Sequence, residues 1–489
     1  MPCDILLTTV NAKFVHPSLG LRYLMANLGG LQNRARIEEF TAEIPALDIA
    51  EALLSQTPKI IGFGVYIWNI RQITDIASHL KALRPEVTLV LGGPEVSHGG
   101  LPQELQGCAD YVLTGEADLA FGELCAELLE GRRPRQQPEA RVIAAPLPEL
   151  RSLLSPYAFY TDADLKNRLT YVEASRGCPF GCEFCLSALE TQVRNFELAP
   201  FLAEMEKLLT RGARRFKFVD RTFNLSEKSW RPILEFFLER IELKPFLHFE
   251  IVPDRIPEKL IQLAKQFPAG TLQFEVGIQT FDLQTAVRIN RKQDFAKTEE
   301  TLKRLRTETQ IHLHADLIAG LPGETLESFA SGFDRLVGLG PQDIQVGILK
   351  RLKGAPITRH DDVFEMRYSP LPPYEILSNN LLDFATIQKL KRFAPFWERY
   401  ANTGLFTRSL TLLFKDRSPF WTFLGYSDWL YAQHGRTHSL SLDGRYDYLY
   451  QYLTTVLQVD AALVRATLLD DFNSKTGPNR KLPRFAQVI

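Results

Sequence analysis

The stretch LTYVEASRGCPFGCEFC, residues 169–185, places three of the chain's six cysteines directly after a β-strand pattern. Cys178, Cys182 and Cys185 are four and then three residues apart, so the three thiols can share one metal centre. A structural zinc site takes four ligands, whereas a catalytic site keeps one position open. The other three cysteines are scattered and offer no fourth ligand at comparable spacing. The centre therefore has either a distant fourth ligand or an open position.

Strand and helix patterns alternate on either side of this stretch. The strand patterns occupy residues 169–177, 214–220, 246–252, 271–280, 311–320 and 343–350. Six consecutive βα units predict an α/β fold of the TIM type, a partial (β/α)6 barrel. Chemistry in such barrels lies at the C-terminal ends of the strands, and the cysteines follow the end of the first strand.

A second α/β pattern precedes the barrel. Apolar strand runs at 4–10, 59–67, 87–95 and 110–115 alternate with amphipathic helices. This pattern predicts a doubly wound, Rossmann-like domain, whose ligands bind at the carboxyl ends of the strands. Small, polar or aromatic residues at those ends are the candidate ligand contacts: Thr9, Tyr66, Trp68, Gly92, Gly93, Gly115 and Glu116. Packing within the domain is the alternative role for Tyr66 and Trp68.

The domain boundaries follow from changes in composition. We predict a Rossmann-like domain at 1–130, a proline-rich linker at 131–165, the barrel at 166–365 and a mostly helical C-terminal domain at 366–489. The net charge of −1 gives the whole molecule no strong attraction to nucleic acid or membranes. No apolar run has the length of a membrane span, and the N-terminus lacks the features of a signal peptide. We therefore expect a cytoplasmic protein without a membrane partner, and a monomer.

The cysteine motif resembles that of the radical S-adenosylmethionine (radical SAM) enzymes. It has the spacing Cys178-x-x-x-Cys182-x-x-Cys185, with an aromatic residue, Phe184, before the third cysteine. The resemblance implies that the three thiolates hold a [4Fe–4S] cluster whose fourth iron binds S-adenosylmethionine. Reductive cleavage of that cofactor would give a 5′-deoxyadenosyl radical. A zinc site or three unrelated thiols is the alternative.

Three further segments, FEIVPD, GIQTFDLQTAVRINR and DLIAGLPGET, are similar to the part of this family that includes anaerobic coproporphyrinogen oxidase. The resemblance implies that Glu250 binds the ribose of S-adenosylmethionine. It implies that Gln279 and Arg291 contact ribose and carboxylate, and that Asp316 lies by the adenosyl group. Asp220 stands where the family has an element that binds the amino group, and the role of its neighbour Arg221 stays open.

The N-terminal domain followed by a radical SAM barrel resembles the cobalamin-binding subclass, in an uncharacterised branch with its own C-terminal domain. The resemblance implies cobalamin at the strand ends named above. The family's cobalt-binding histidine loop is altered here to KFVHPSLG. We therefore expect cobalamin without a histidine lower ligand, and His16 as a loop residue bonded to backbone. A domain that has lost cobalamin is the alternative.

The resemblance implies methyl transfer to an unactivated carbon, with no further catalytic residue assignable beyond the cluster. A cobalamin-dependent rearrangement, cyclisation or oxidation without methyl transfer is the alternative, and a corrinoid-sensing or RNA-binding protein without turnover is a third. The cluster would need a one-electron donor such as flavodoxin or ferredoxin.

The substrate is indicated only by the composition of residues 386–418. Seven basic residues interleave there with aromatic residues, namely Phe393, Phe396, Trp397, Tyr400, Phe406 and Phe414. Such a combination is typical of RNA binding, so tRNA is one candidate partner. A helical domain that packs its aromatic residues inward is the alternative, with a lipid, tetrapyrrole or peptide as other substrates.

Overall fold

The computed structural model describes residues 3–100, 103–132, 142–475 and Arg484. The chain forms two compact units. The first unit consists of Met1–Glu250, Arg351–Pro356 and Pro370–Tyr374. The second unit consists of Ile251–Lys350, Ile357–Ser369 and Glu375–Ile489.

The first unit begins with a sheet of six strands that all pair in parallel. The strands are β1 (Ile5–Asn11), β2 (Ala35–Thr41), β3 (Ile60–Gly64), β4 (Thr88–Gly92), β5 (Tyr111–Thr114) and β6 (Val142–Ala144), in the spatial order β2-β1-β3-β4-β5-β6. The helices along this part of the chain are α1 (Leu19–Ala26), α2 (Ala46–Leu54), α3 (Ile70–Leu83), α4 (Pro94–Ser97), α5 (Gln103–Gln106) and α6 (Ala120–Leu129). The strand order changes direction between β1 and β3, and open parallel sheets bind ligands at such a point.

Both faces of this sheet are covered by apolar side chains. All seven residues of β1 are buried. Its side chains alternate between two hydrophobic clusters, because successive residues of a strand point to opposite faces. Leu6 packs in the cluster that contains Ile73 of α3, and Leu7 packs in the cluster that contains Leu21 of α1. The prediction of a doubly wound α/β domain is confirmed.

The segment predicted as a linker, 131–165, contains regular structure in its described part. Residues 133–141 lie outside the described residues. Strand β6 follows them and pairs with β5 at the edge of the sheet. Helix α7 (Asp162–Asn167) then begins with a capping box formed by Thr161 and Asp164. The first sheet therefore extends past the predicted boundary at residue 130.

All six strands predicted for the second α/β domain are present. The first unit contains β7 (Thr170–Val172), β8 (Ser175–Arg176), β9 (Arg194–Asn195), β10 (Arg215–Phe218) and β11 (Phe246–Ile251), of which β7, β10 and β11 pair in parallel in that order. Its helices here are α8 (Leu198–Thr210) and α9 (Glu227–Leu238). Strands β8 and β9 form a short antiparallel pair that encloses the cysteine loop.

The second unit continues the alternation. It contains β12 (Leu272–Gln279), β13 (His312–Ala319) and β14 (Asp343–Ile348), which pair in parallel in that order. The helices between them are α10 (Glu258–Ala264), α11 (Leu283–Arg288), α12 (Phe295–Glu308) and α13 (Leu326–Leu339).

The C-terminal part of the second unit is mostly helical, as predicted. A short antiparallel pair, β15 (Arg367–Tyr368) and β16 (Ile376–Ser378), precedes the helices α14 (Phe384–Trp397), α15 (Thr407–Phe414), α16 (Pro419–His434), α17 (Leu442–Gln451) and α18 (Ala461–Lys475). Within the described part of the chain, no helix has the length and apolar character needed to cross a membrane.

Candidate functional site

A cavity of about 660 Å³ lies at the carboxyl ends of the strands of the first sheet. The residues that follow β1, β3, β4 and β5 line one part of it. Another part of its lining comes from residues in or after β7 and β10, namely Tyr171, Glu173, Arg176, Val219 and Arg221. The cavity is thus at the place that the strand order predicts. A ligand in it would contact both the first sheet and the strand that leads into the cysteine loop.

Glycines contribute to the size of this cavity. A Cβ atom added to Gly92 would meet a single atom within 4 Å, the carbonyl oxygen of Leu113 at 3.7 Å. A Cβ added to Gly20 would meet only the hydroxyl oxygen of Tyr66, at 3.7 Å. Side chains at these positions would occupy space that the cavity now contains. The lining therefore has the form of a cradle that requires small residues.

Six of the seven residues predicted for the rim line the cavity: Tyr66, Trp68, Gly92, Gly93, Gly115 and Glu116. Tyr66 and Trp68 stack with ring centroids 4.4 Å apart and an angle of 5° between their planes. The indole N–H of Trp68 donates a hydrogen bond to the carbonyl oxygen of Val10 at 3.1 Å. The two rings therefore form one fixed aromatic surface on the cavity wall.

The prediction for Thr9 differs from its position in the structure. Thr9 is buried and does not line the cavity. Its hydroxyl donates to the carbonyl oxygen of Gly64 at 2.6 Å and accepts from the amide of Asn69 at 3.0 Å. Thr9 thus fixes the turn after β3, because a hydroxyl buried in a sheet must find its partners within the protein.

Glu116 lines the cavity, but its carboxylate is bound by two arginines. Its Oε2 atom lies 2.7 Å from Nη1 of Arg176, and its Oε1 atom pairs with Arg194. The negative charge is therefore balanced by the protein itself.

His16 also lines the cavity, in the loop after β1. The sequence predicted a hydrogen bond from its ring to backbone, whereas the ring Nδ1 pairs with the hydroxyl of Tyr171 at 2.8 Å. Burial lowers the pKa of His16, and the charges of Lys217, Lys13 and Arg168 lower it further. The ring is accordingly neutral near pH 7.

The cysteine loop is closed at its base by β8 and β9. The backbone N–H of Cys178 donates to the carbonyl oxygen of Glu190 at 3.0 Å, and that of Cys185 donates to Cys182 at 3.1 Å. Burial raises the pKa of the Cys178 thiol, and the nearby Cys185 and Cys182 raise it further, whereas Arg221 lowers it. The three thiols are therefore close enough for their charges to affect the pKa of Cys178.

Among the described residues, no three His, Cys, Asp or Glu side chains are grouped to hold a metal ion. An iron–sulfur cluster does not require its thiolates to converge on one ion, since each binds a different iron. Three thiols on one loop are the donor set that a cluster with one open iron needs.

The polar residues that follow β10 and the carboxylate near the end of β11 form two separate contacts. Asp220 is buried, and its carboxylate accepts hydrogen bonds from the Ser175 hydroxyl at 2.6 Å and the Ala174 N–H at 3.0 Å. Arg221 donates to both carboxylate oxygens of Glu250, at 2.9 and 3.2 Å. Asp220 thus fixes the chain just before the cysteine loop, and Glu250 is paired with the arginine that lines the cavity.

The other three predicted contacts of S-adenosylmethionine lie together in the second unit. Gln279 ends β12 at a register shift, with a left-handed φ of 71°. Arg291 donates a hydrogen bond to the carbonyl oxygen of Gly277, and a Cβ on Gly277 would lie 2.5 Å from the Gln279 amide. Asp316 is paired with Gly277 in the register between β12 and β13. Gln279, Arg291 and Asp316 therefore all lie beside Gly277, near the carboxyl end of β12.

A protonated histidine accompanies Asp316. The Nε2 atom of His314 lies 3.2 Å from Asp316, and its Nδ1 atom lies 3.5 Å from Asp343. Burial lowers the pKa of His314, but the hydrogen bonds to these two carboxylates outweigh it and raise the pKa to about 10. The imidazolium therefore pairs with both Asp316 and Asp343.

The aromatic residues proposed for RNA binding are mostly inside the C-terminal helices. Five of them have at most 4% of their surface exposed: Phe393, Phe396, Trp397, Tyr400 and Phe406. Phe393 and Trp397 stack on each other and pack against Phe423 of α16. Several of the basic residues form ion pairs, with Lys389 and Arg392 sharing Asp428. These rings therefore form a helical core and are not exposed for base stacking.

Several residues that line the cavity are not among those predicted from the sequence. They are Gly20, Tyr23, Gly62, Gly64, Phe121 and Arg176. The alternating glycines of GFGVY in β3 were the available signal, because glycine within a strand indicates close approach of a ligand or another chain. Tyr23 and Phe121 lie on helices, where an apolar side chain that lines a cavity has the same pattern as one in the core.

The fold and the site define an α/β protein with a ligand cavity at strand ends and a three-cysteine loop beside it. Three family models match parts of the chain: "B12 binding domain" at residues 5–125, "Radical SAM superfamily" at 172–336 and "Protein of unknown function (DUF4080)" at 362–488. The chain thus consists of a B12-binding domain, a radical SAM domain and a C-terminal DUF4080 region.

Two curated relatives are similar over about two thirds of this chain. The cobalamin-dependent radical SAM methyltransferase TokK of Streptomyces tokunonensis is 26% identical over 354 residues, which are 67% of this chain and 52% of the relative. The 2-(S-pantetheinyl)-carbapenam-3-carboxylate methyltransferase of Streptantibioticus cattleyicolor is 25% identical over 337 residues, 63% of this chain and 49% of the relative. The chain spans about half the length of these two relatives.

Two solved structures share the fold. The cobalamin-dependent S-adenosylmethionine radical enzyme OxsB superposes with a TM-score of 0.66 at 14% identity, covering 97% of this chain and 81% of its own. The radical S-adenosylmethionine methyltransferase TsrM from Kitasatospora setae, with cobalamin and a [4Fe–4S] cluster bound, gives a TM-score of 0.60 at 17% identity, covering 88% and 99%.

The residues present fit the cofactors of these domains, a [4Fe–4S] cluster with S-adenosylmethionine and a cobalamin. The three thiols of the cysteine loop would serve as the donor set of the cluster. The glycine-lined cavity at the strand ends of the B12-binding domain has the position and the small residues that a bulky flat cofactor requires.

Proposed function

We propose that this protein is a cobalamin-dependent radical SAM methyltransferase that transfers a methyl group to an unactivated carbon. The observation that carries the proposal is the composition of the cavity wall. Residues after four strands of the B12-binding domain and residues in or after β7 and β10 line the same cavity. A methyl transfer between two cofactors needs such a shared space, since the reacting groups must be held close together.

The residues of the chain have separate tasks in this proposal. Cys178, Cys182 and Cys185 bind the cluster and leave one iron open. When bound, the cluster and S-adenosylmethionine supply the 5′-deoxyadenosyl radical, and cobalamin supplies the methyl group. Tyr66 and Trp68 provide a flat apolar face for the corrin ring. We expect His16 not to bind cobalt, because its loop, KFVHPSLG, departs from the family's cobalt-binding histidine loop.

In the second unit, Gln279, Arg291 and Asp316 would bind S-adenosylmethionine from the ends of β12 and β13. The Nε2 atom of His314 lies 3.2 Å from Asp316 and holds this carboxylate in place to accept hydrogen bonds from the adenosyl group. Glu250 would accept the ribose hydroxyls, and its ion pair with Arg221 holds it at the end of β11. The reaction would take place in the cytoplasm, with a flavodoxin or ferredoxin as the electron donor.

Anaerobic reconstitution tests the proposal directly. We expect about four irons per chain and a bound corrinoid after incubation with hydroxocobalamin. With titanium(III) citrate as the reductant, the protein should convert S-adenosylmethionine to both 5′-deoxyadenosine and S-adenosylhomocysteine. The second product reports the donation of a methyl group. 5′-Deoxyadenosine alone, with corrinoid bound, would favour a rearrangement, cyclisation or oxidation instead.

The cluster assignment has its own control. Cys182→Ala should lose the cluster iron and all 5′-deoxyadenosine formation. Cys108→Ala changes a thiol outside the cysteine loop and should leave both quantities unchanged. A Cys182→Ala protein that still formed 5′-deoxyadenosine would contradict the assignment.

A further inference from the structure

Arg176, two residues before the first cysteine of the loop, is the centre of a buried ion network. Its Nε atom donates to Glu173 at 2.9 Å, and its Nη1 atom lies 2.7 Å from Glu116. Both terminal nitrogens donate to Asp118, each at 3.0 Å. The guanidinium group thus binds three carboxylates at once. Only 13% of the Arg176 side chain is exposed.

The three carboxylates come from two different domains. Glu116 and Asp118 lie in the loop that follows β5 of the B12-binding domain, and Glu173 directly follows β7 of the radical SAM domain. Arg194, opposite Arg176 in the β8–β9 pair, makes a second link to Glu116. Two arginines therefore join this loop to the base of the cysteine loop through charged contacts.

The residues on both sides of this ion network are adjacent in sequence to the candidate cofactor sites. Gly115, next to Glu116, lines the cavity. On the other side, only Gly177 separates Arg176 from Cys178. Gly177 has a φ of 93°, and a Cβ there would collide with the carbonyl oxygen of Gln192. The backbone from Arg176 to Cys178 is therefore fixed in one conformation.

The shape of the guanidinium group is essential to this arrangement. Its planar fork offers five N–H donors in fixed directions, and here they bind Glu116 and Asp118 after β5 and Glu173 after β7. The rings of Tyr23 and Phe196 lie 4.7 and 5.7 Å from its central carbon, which restricts its rotation. A lysine at this position would keep the positive charge but would lack the fixed geometry of the guanidinium N–H donors.

We propose that Arg176 is a positioning residue that sets the separation between the cobalamin-binding loop and the cluster-binding loop. The inference rests on the proposed function, because it assigns a cofactor to each loop. The distance between the two loops matters for methyl donation to the corrinoid, because S-adenosylmethionine and the corrinoid must lie close together in that step. Cleavage of S-adenosylmethionine at the cluster does not need it.

The first test uses the protein without cofactors. In Arg176→Lys, amide hydrogen exchange should become faster in residues 115–118 and 176–178, and stay unchanged in helices α14 and α16. Arg304→Lys is the matched control, since Arg304 binds the carboxylates of Glu258 and Glu308 away from both loops. Unchanged exchange at both loops of Arg176→Lys would overturn the proposal, whatever the activity of the protein.

The second test compares two products of the reconstituted protein. Arg176→Lys should keep its iron and its rate of 5′-deoxyadenosine formation, while S-adenosylhomocysteine formation falls by roughly tenfold or more, because a small misplacement of reacting groups is costly. Arg304→Lys should change neither product. An equal loss of both products in Arg176→Lys would indicate general damage and would overturn the positioning role.

A second variant tests the same link from the other loop. Asp118→Asn keeps the size of the side chain and removes the charge that binds both terminal nitrogens of Arg176. It should produce the same change in the product ratio if Arg176→Lys does not fold. A wild-type protein that binds no hydroxocobalamin would refute the proposed function, whereas the exchange experiment would still decide whether Arg176 joins the two loops.

Discussion

Asp220 shows how one buried carboxyl group can make stability depend on pH. Burial raises its pKa from 3.8 to about 7, against the hydrogen bonds from Ser175 and Ala174, which lower it. The folded chain therefore holds this proton up to about pH 7, whereas the unfolded chain releases it near pH 4. Between these values the folded state binds more protons than the unfolded state. Its contribution to stability must fall as the pH rises through this range.

The substitution Asp220→Asn removes this dependence. Wild-type protein without cofactors should lose stability relative to the variant between pH 4 and 7, by up to about 1.4 kcal/mol for each tenfold fall in proton concentration. Urea unfolding at pH 5, 6, 7 and 8 measures the difference between the two free energies of unfolding. If the free energies of unfolding of the two proteins changed in parallel with pH, the pKa of Asp220 would not be raised.

Trp68 tests whether the aromatic surface of the cavity binds the corrinoid. The side chain is 51% exposed and stacks on Tyr66. Trp68→Ala should weaken the binding of hydroxocobalamin by about tenfold, the effect of one lost aromatic contact of roughly 1.4 kcal/mol. Titration followed by absorbance measures the dissociation constant. Trp421→Ala is the control, because Trp421 is 44% exposed and lies on α16 in the second unit. Equal affinities in the two variants would exclude Trp68 from the site.

At the scale of elements, the cysteine loop depends on one glycine. Strands β8 and β9 form a pair of only two residues each, so the ladder alone gives the loop little stability. Gly177 follows β8 with a φ of 93° and brings the chain against the backbone of residues 190–192. A residue with a Cβ would need both an unfavourable φ and a displacement of that backbone.

Gly177→Ala should therefore prevent cluster assembly, with less than half of the wild-type iron after reconstitution and a lower melting temperature. Gly212→Ala is the matched control, because Gly212 has a φ of 99° but no atom within 4 Å of an added Cβ. That variant has only the cost of backbone strain, on the order of 1 kcal/mol, and should assemble a normal cluster. Equal iron contents in the two variants would show that close packing at Gly177 is not required.

The sequence predicted central strands better than edge strands. The continuous apolar runs of β1, β3, β4 and β5 were recognised because both faces of these strands are buried. The edge strand β2 has the sequence ARIEEFT, with Phe40 as its one buried residue, and it was not predicted. The edge strand β6 has only three residues and none of them is buried. Such edge strands form by pairing with a neighbouring strand, and the local sequence does not show which strand that will be.

At the scale of the whole molecule, motifs in the sequence predicted which segments form the site but not the orientation of each side chain. The spacing of the three cysteines predicts a cluster loop, and the strand ends predicted six of the residues that line the cavity. Spacing did not tell which way a side chain points, so Thr9 was assigned to the cavity although it bonds within the sheet. Arg176 was missed for a related reason. Its partners Glu116 and Asp118 lie some sixty residues away in sequence, and only the fold brings them together.

The cavity makes a prediction about where a bound corrinoid protects the chain. All of its lining residues belong to the first unit, in the segments 11–24, 62–68, 90–93, 113–121, 171–176 and 219–221. Hydroxocobalamin should therefore slow amide hydrogen exchange in these segments, because a ligand that binds only the folded state reduces opening around its site. Mass spectrometry of peptides from the protein with and without the corrinoid measures the effect.

Helices α14 and α16 provide the internal reference for that experiment. Their rings pack against each other in a buried core, so an unoccupied ligand surface is not expected among them. Exchange in α14 and α16 should be unchanged by hydroxocobalamin. Protection confined to these helices would place the corrinoid outside the cavity and would contradict both the site and the roles of Tyr66 and Trp68. If this protection of the first unit disappears in Trp68→Ala, the contact of Trp68 with the corrinoid is required for the protection of all six segments.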